Sequence, residues 1–194
     1  MNQLYHHGNL RHALLARAEE ALQEVGIDGL SLRQLARDIG VSHAAPARHF
    51  RDKQALLDAL ALEGFEALNA ALAGAVDGSG SFRERFGRMA RAYVTFAVDR
   101  PDLLHLMYTT KHRESAGEML RQTGEAGMVT ARDLIAQAQA SGEVRPGDPG
   151  MLAAVAHAQV HGIAVLASGG MLPAMETDAI LDVAIDLFWR GLKA

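Results

Sequence analysis

The stretch SLRQLARDIGVSHAAPARHFRDK, residues 31–53, decides how the rest of the chain is read. Ser31 is a good helix N-cap, and Gln34 three residues on completes a capping-box pattern that satisfies orphan backbone donors. Leu32, Leu35, Ala36 and Ile39 recur at helical spacing, so one face is buried. Gly40 follows the last periodic residue, where a helix stops easily in the left-handed conformation. Val41 and Ser42 restart the pattern with Ser42 as the next N-cap, and the spacing predicts a second helix over about His43 to Phe50. Helix, turn of about four residues, helix is the helix-turn-helix grammar.

That second helix is unusual for a core element. Ala44 and Ala45 make its leading face small, so its backbone can approach another surface closely. His43, Arg48, His49, Arg51 and Lys53 ring it with donors. Residues 31–53 hold five basic side chains (Arg33, Arg37, Arg48, Arg51, Lys53) against two acidic ones (Asp38, Asp52), a local net charge of +3 in a chain of net −4. A small-faced helix rimmed by cations suits a DNA major groove, where cations neutralise phosphates and side chains read base edges. Charge alone fits a solvated basic turn equally well. The turn grammar favours DNA.

The run from Asn9 to Leu60 resembles the DNA-binding domain of the tetracycline-repressor (TetR) family of bacterial transcription regulators. The matching residues are LRHALLARAEEALQEVGIDGLSLRQLARDIGVS, then His49-Phe50, then DKQALL from Asp52. The order is specific: a first helix ending at Gly26, GLS at 29–31, GVS at 40–42, then HFxDK. One departure stands out. Most relatives carry a leucine and a tyrosine where this chain has Pro46 and Ala47, and Ala47 cannot make the tyrosine's backbone contact. The segment Val160-His161-Gly162 also resembles a C-terminal subgroup named for a Trp-His-Gly motif, with Val160 in place of the tryptophan.

The resemblance implies an all-α protein of about nine helices. An N-terminal three-helix DNA-binding domain (1–53) would precede a helical ligand-binding and dimerisation domain (54–194). The residues facing base edges would be His43, Ala44 and Arg48, with Ala45 also in the DNA-binding set and Ser31, Arg33, Ser42, His49 and Lys53 on phosphates. Tyr5, His6, His7 and Arg11 would form an arm or a solvated tail. The protein is expected to be a repressor that binds a palindromic double-stranded operator as a homodimer, released by a small-molecule effector.

The bounds agree with that class. At 194 residues and 49% hydrophobic content the chain can bury a real core. The absence of cysteine excludes disulfide and thiolate chemistry and suits a reducing cytoplasm. Neither a signal peptide nor a membrane-spanning apolar run is expected. Residues 1–60 carry seven basic and seven acidic side chains, residues 61–194 twelve and sixteen, which supports two modules.

Downstream, helices are expected over about 52–72, 82–98, from Pro101, and over 112–140, the last interrupted by Gly117, Gly124 and Gly127. Those glycines mark a break, close packing or room for a ligand. Residues 74–81 and 141–150 are the expected loops. The last two helices, about 150–168 and 177–192, are apolar, with Ile180, Ala184, Leu187, Phe188 and Gly191 on one stripe, and are expected to form the homodimer interface. Met89, Tyr93, Phe96, Leu103, Met107, Tyr108 and Met119 are soft side chains that fill either a core or an effector pocket. His157, His161 and Arg121 would supply its polar groups.

Catalytic signatures are missing. His157 and His161 are four apart on one face, but there is no HExxH, no GxSxG and no phosphate-binding glycine loop. No catalytic residue, metal or cofactor is expected. A helical small-molecule-binding or enzymatic protein with a degenerate DNA-binding head stays open, because of Pro46 and Ala47.

Overall fold

The structure, a computed structural model, describes residues 7–194; Tyr5, His6 and the side chain of His7 lie outside the described residues. Among these residues eight α-helices and one short 3-10 turn account for the regular structure, and the single β-bridge joins Val144 to Lys193. The helices are α1 (His7–Gly29), α2 (Leu32–Asp38), α3 (Lys53–Val76), α4 (Phe82–Asp99), α5 (Pro101–Lys111), α6 (Glu118–Ala140), α7 (Pro149–Ser168) and α8 (Ala174–Leu192); the 3-10 turn is Pro46–Arg48. The chain forms two compact units. One comprises residues up to Gly64 together with Asp102–Arg121, the other Phe65–Pro101 with Gln122–Ala194.

In the first unit, Leu14, Leu15, Ala18, Ala21 and Leu22 of α1 are buried with Leu35 and Ala36 of α2 and Leu56, Leu57 and Leu60 of α3. The α1 run is broken at Gly26, whose φ of 68° and ψ of 178° only glycine adopts without strain. Arg17 ties α1 to α2. Its guanidinium donates to both carboxylate oxygens of Glu24 (3.1 and 2.9 Å) and to Asp38 Oδ2 (3.0 Å). The bonds from Arg17 hold the Glu24 carboxyl below its usual range, and the same pairing raises the Arg17 guanidinium. Asp52 caps α3 as its position predicts, accepting from Ala55 N at 2.8 Å. In the same unit Met107 of α5 lies against Gly64, where an added Cβ would stand 2.7 Å from its sulfur.

Two local expectations are corrected. Ser31 occupies the N-cap of α2 with extended backbone, but its side chain caps nothing. Gln34, which would complete the box, instead donates to Asp38 at 2.6 Å. The expected linker 74–81 also shrinks, because α3 continues to Val76. Arginines of α4 explain the extension. Arg85 Nε donates to Val76 O (3.0 Å) and Arg88 Nε to Ala75 O (2.9 Å), satisfying carbonyls that a helix end leaves orphaned. The capping box stands at Ser81, whose side chain accepts from Glu84 N while Glu84 accepts from Ser81 N (2.9 Å). Those bonds from Ser81 hold Glu84 below the usual carboxylate range.

The second unit is built on α4, which packs on α7 and α8. Phe86 stacks on Phe188 (4.9 Å) and Phe82 on Phe86 (5.7 Å). The small residues of α7 are the packing seam that the sequence suggests: Ala153, Ala156, Val160 and Ala164 are buried. Facing them, the hydroxyl of buried Tyr93 lies 2.8 Å from Nδ1 of His161, and the His157 and His161 rings stack at 5.4 Å. Gly127 answers the glycine question by close packing. A Cβ there would lie 3.0 Å from Leu72 Cδ1. Gly117 precedes α6 rather than interrupting it.

On α8 the face buried within the unit is Leu181, Ile185, Phe188 and Leu192, whereas Leu187 of the stripe expected at the dimer interface is 61% exposed. The expectation about apolar length is also corrected. By length and composition α3 and α7 each hold an 18-residue window apolar enough to cross a membrane, with mean hydropathy 1.3 and 1.5. Alanine-rich helices with few charges reach that threshold while burying only one face in a packed unit.

Replacing Ser81 by alanine is expected to lower stability by roughly 0.5–2 kcal/mol, and Ser31→Ala to change it by less than about 0.5, in denaturant melts of both variants. His161 yields a second expectation. Burial lowers its pKa below the ordinary 6.5, so between those values the unfolded chain binds more protons than the folded one. Stability is therefore present above pH 6.5 and is lost as pH falls toward the lowered value. Thermal melts from pH 7.5 to 5 check this: His161→Gln should flatten the acid side of the profile.

Candidate nucleic-acid interface

After α2 the chain turns through a complete left-handed stop. Gly40 has φ 73°, its N–H donates to Arg37 O (3.1 Å), and Val41 N–H donates to Ala36 O (2.9 Å). The expected second helix, His43–Phe50, is not continuous. Ala45 N donates to Ser42 O (2.9 Å), and a 3-10 turn follows over Pro46–Arg48. Then His49 N and Phe50 N both donate to Pro46 O at 2.9 Å. Pro46 is the physical reason. It has no N–H to return to Ser42 O, and its ring obstructs an α-turn through that carbonyl, so the segment closes as successive tight turns.

Pro46 itself is buried, as is Phe50. His43, Ala44, Ala47 and Arg48 are exposed, and Ala45 is half-buried. The expected base-reading side chains thus do share an exposed segment. Ser31, Arg33 and Ser42 are exposed as well.

The cations divide into engaged and disengaged. Lys53 Nζ donates to Asp28 O at 2.8 Å, so a residue expected on phosphate is tied to the end of α1, beyond the kink at Gly26. Arg11 pairs with Glu63 (3.0 Å) and lies over the Phe50 ring. Arg51 pairs with Asp52 (3.2 Å), and Arg37 donates to the neutral Gln34. Arg33 and Arg48 have no ion pair among the described residues. Asp38, one of the two local acids, is taken up by Arg17. His49 is half-buried, and its Nε2 is enclosed without a hydrogen-bond partner. Sequence reasoning missed Arg17 and the Asp28 carbonyl. Neither has a local signal, since Arg17 and Asp38 stand in different helices.

The expected effector residues separate between the units. Leu103 and Met107 are interior to the first, where Tyr108 is half-buried and covered by Lys111 at 5.6 Å. Met119 is 67% exposed, and Arg121 pairs with Glu118 at 3.5 Å. Met89, Tyr93 and Phe96 are buried in the second unit, with half-buried His157 and His161 beside Tyr93. An open groove of about 410 Å³ there is lined by Ala67, Ala71, Ala92, Thr95, Phe96, Asp99 and Arg100. Among the described residues no three His, Asp or Glu side chains gather as metal ligands.

Comparison with known proteins accords with this arrangement. The family described as bacterial regulatory proteins, tetR family, matches residues 14–60, and the tetracyclin repressor-like C-terminal domain matches residues 86–188. A protein of unknown function from Rhodococcus sp. RHA1, whose structure is solved, is 52% identical over 100% of both chains with a TM-score of 0.92. A TetR family transcription regulator from Marinobacter aquaeolei shares the fold at 18% identity, covering 94% of this chain and 95% of its own, with a TM-score of 0.74. The class A tetracycline repressor protein from transposon 1721 of Escherichia coli is 50% identical over 50 residues, 26% of this chain and 23% of that protein. The chain therefore spans under a quarter of the length of the curated relatives it matches. With its head and more than half of its length matched to family models, the chain belongs to the TetR family of bacterial regulatory proteins, which are transcription regulators and not enzymes.

Proposed function

We propose that the protein is a homodimeric repressor that binds a palindromic DNA operator through residues 1–53 and leaves it when a small molecule binds residues 54–194. The observation that carries the reading is the pair Arg33 and Arg48, exposed on either side of the Gly40 turn and without ion pairs among the described residues. Such guanidinium groups are free to exchange water for phosphate or base edges. His43, Ala44 and Ala45 complete the surface that approaches bases. Ser31, Ser42 and the open side of His49 serve phosphates, and Lys53 acts by positioning the end of α1 at Asp28. A cytoplasmic location follows from that role.

The dimer reading is supported by α7 and α8. Met151 and Val155 are 64% and 50% exposed, four residues apart on α7, and Val183 and Leu187 are 58% and 61% exposed, four apart on α8. Each pair lies on one helix face, and apolar area of this kind is what a self-complementary twofold interface covers. We assign the effector to the second unit, where Met89, Tyr93, Phe96, His157 and His161 combine an apolar wall with two imidazoles. Release then requires only that the effector bind the DNA-incompetent form more tightly. Since α3 runs as one helix from Lys53 to Val76, it is the covalent route for that coupling.

Titrating the full chain with the duplex upstream of its own gene at several salt concentrations tests the DNA reading. Binding should weaken steeply with salt, and Arg48→Ala should cost about 1–3 kcal/mol on the specific duplex. Equal, weak binding of every duplex, unchanged by the substitution, would refute it. Separately, Leu187→Glu should shift sedimentation from dimer to monomer while leaving the helical circular dichroism unchanged.

A further inference from the structure

We propose that Pro46 is a positioning residue that makes Arg48 a guanine reader, so that each operator half-site carries one guanine whose recognition depends on the tight-turn geometry. The inference rests on the DNA reading above and adds to it what is read and what aims the reader.

Pro46 combines burial with proline's missing N–H. Its ring is buried in the first unit, so the segment is anchored there rather than frayed. It also donates no backbone hydrogen bond, so the chain closes by the Ser42–Ala45 turn (2.9 Å) and then by Ala45 O to Arg48 N (3.2 Å). In a 3-10 turn successive side chains are spaced by about 120°, against about 100° in an α-helix. Arg48, two residues beyond Pro46, therefore leaves the backbone in a direction that a continuous helix would not give it.

The choice of Arg48 over the other cations follows from what each already holds. Arg11 and Arg51 are paired with carboxylates, Lys53 with a carbonyl, and Arg37 with Gln34. Arg33 is disengaged but sits in the first turn of α2, ahead of the Gly40 stop. Ala44, Ala45 and Ala47 present methyl groups and no donors, so the reading segment's hydrogen-bonding capacity rests on Arg48 and His43. A guanidinium offers two parallel N–H donors, which match O6 and N7 of guanine in the major groove. Neighbouring alanines leave room for that fork and suit contact with a thymine methyl.

Selection from random duplexes tests this with the full chain and with Arg48→Lys, Arg48→Ala, Pro46→Ala and Pro46→Leu, each checked for folding by thermal melt. The wild type should recover a symmetric motif with a fixed guanine. Arg48→Lys and Arg48→Ala should relax that base while the rest of the motif persists, with affinity for the selected duplex falling about tenfold to a hundredfold for alanine. Pro46→Ala and Pro46→Leu restore the N–H. Whichever folds should change or erase the preference at that position, while salt-sensitive binding to random duplex stays at the wild-type level. A simple loss of packing would lower both kinds of binding together. A guanine preference untouched by Arg48→Ala overturns the proposal, as does a motif unchanged by a folded Pro46 variant or the unfolding of both variants. Failure of the wild type to select any motif refutes the DNA reading itself, a separate outcome.

Discussion

The left-handed residue at Gly40 is the constraint on which the head depends. Its positive φ lets the chain reverse directly after α2 while the last carbonyls of that helix remain satisfied by Gly40 and Val41. A side chain at this φ would cost roughly 1–2 kcal/mol, and any other exit would leave Arg37 and Ala36 carbonyls without protein donors. Leu35 and Ala36 can then stay in the core while Ser42, His43, Ala44, Ala47 and Arg48 emerge on the surface. Recognition chemistry is displayed because glycine permits the backbone turn that precedes it.

Around that turn, electrostatics acts mainly by subtraction. Arg17 neutralises Asp38 and Glu24, Lys53 is held by Asp28, and Arg51 by Asp52. These exposed pairs contribute little stability individually. Their consequence is selective: they decide which cations remain available. Of the five cations in residues 31–53, Arg37, Arg51 and Lys53 already hold protein acceptors, which leaves Arg33 and Arg48 as the disengaged ones.

The second unit follows a different rule, the match of small residues to close helix approach. Alanines of α7 bring it against α4, and Gly127 of α6 admits Leu72. Where the interior is tight, polar groups are few and paired, as Tyr93 with His161. The remaining apolar area of α7 and α8 points outward, so the unit's own core does not exhaust its hydrophobic surface.

Local grammar alone determined much of this protein. The helical class, the Gly26 and Gly40 breaks, the Asp52 cap, the start of α5 at Pro101 and the seam on α7 all depend on backbone preferences or periodicity within a few residues. Tertiary structure decided what local preference leaves degenerate. Ser31 and Ser81 carry equally good capping patterns, yet only Ser81 forms its box, because Asp38 competes for Gln34. Which face of α8 is buried turned on the approach of Phe86 to Phe188. The commitment of Lys53 to Asp28, 25 residues earlier, depended on a contact that no local pattern encodes. Even Pro46 shows the division: its missing N–H is legible in the sequence, but its burial is decided by packing, with the 3-10 turn lying against α2.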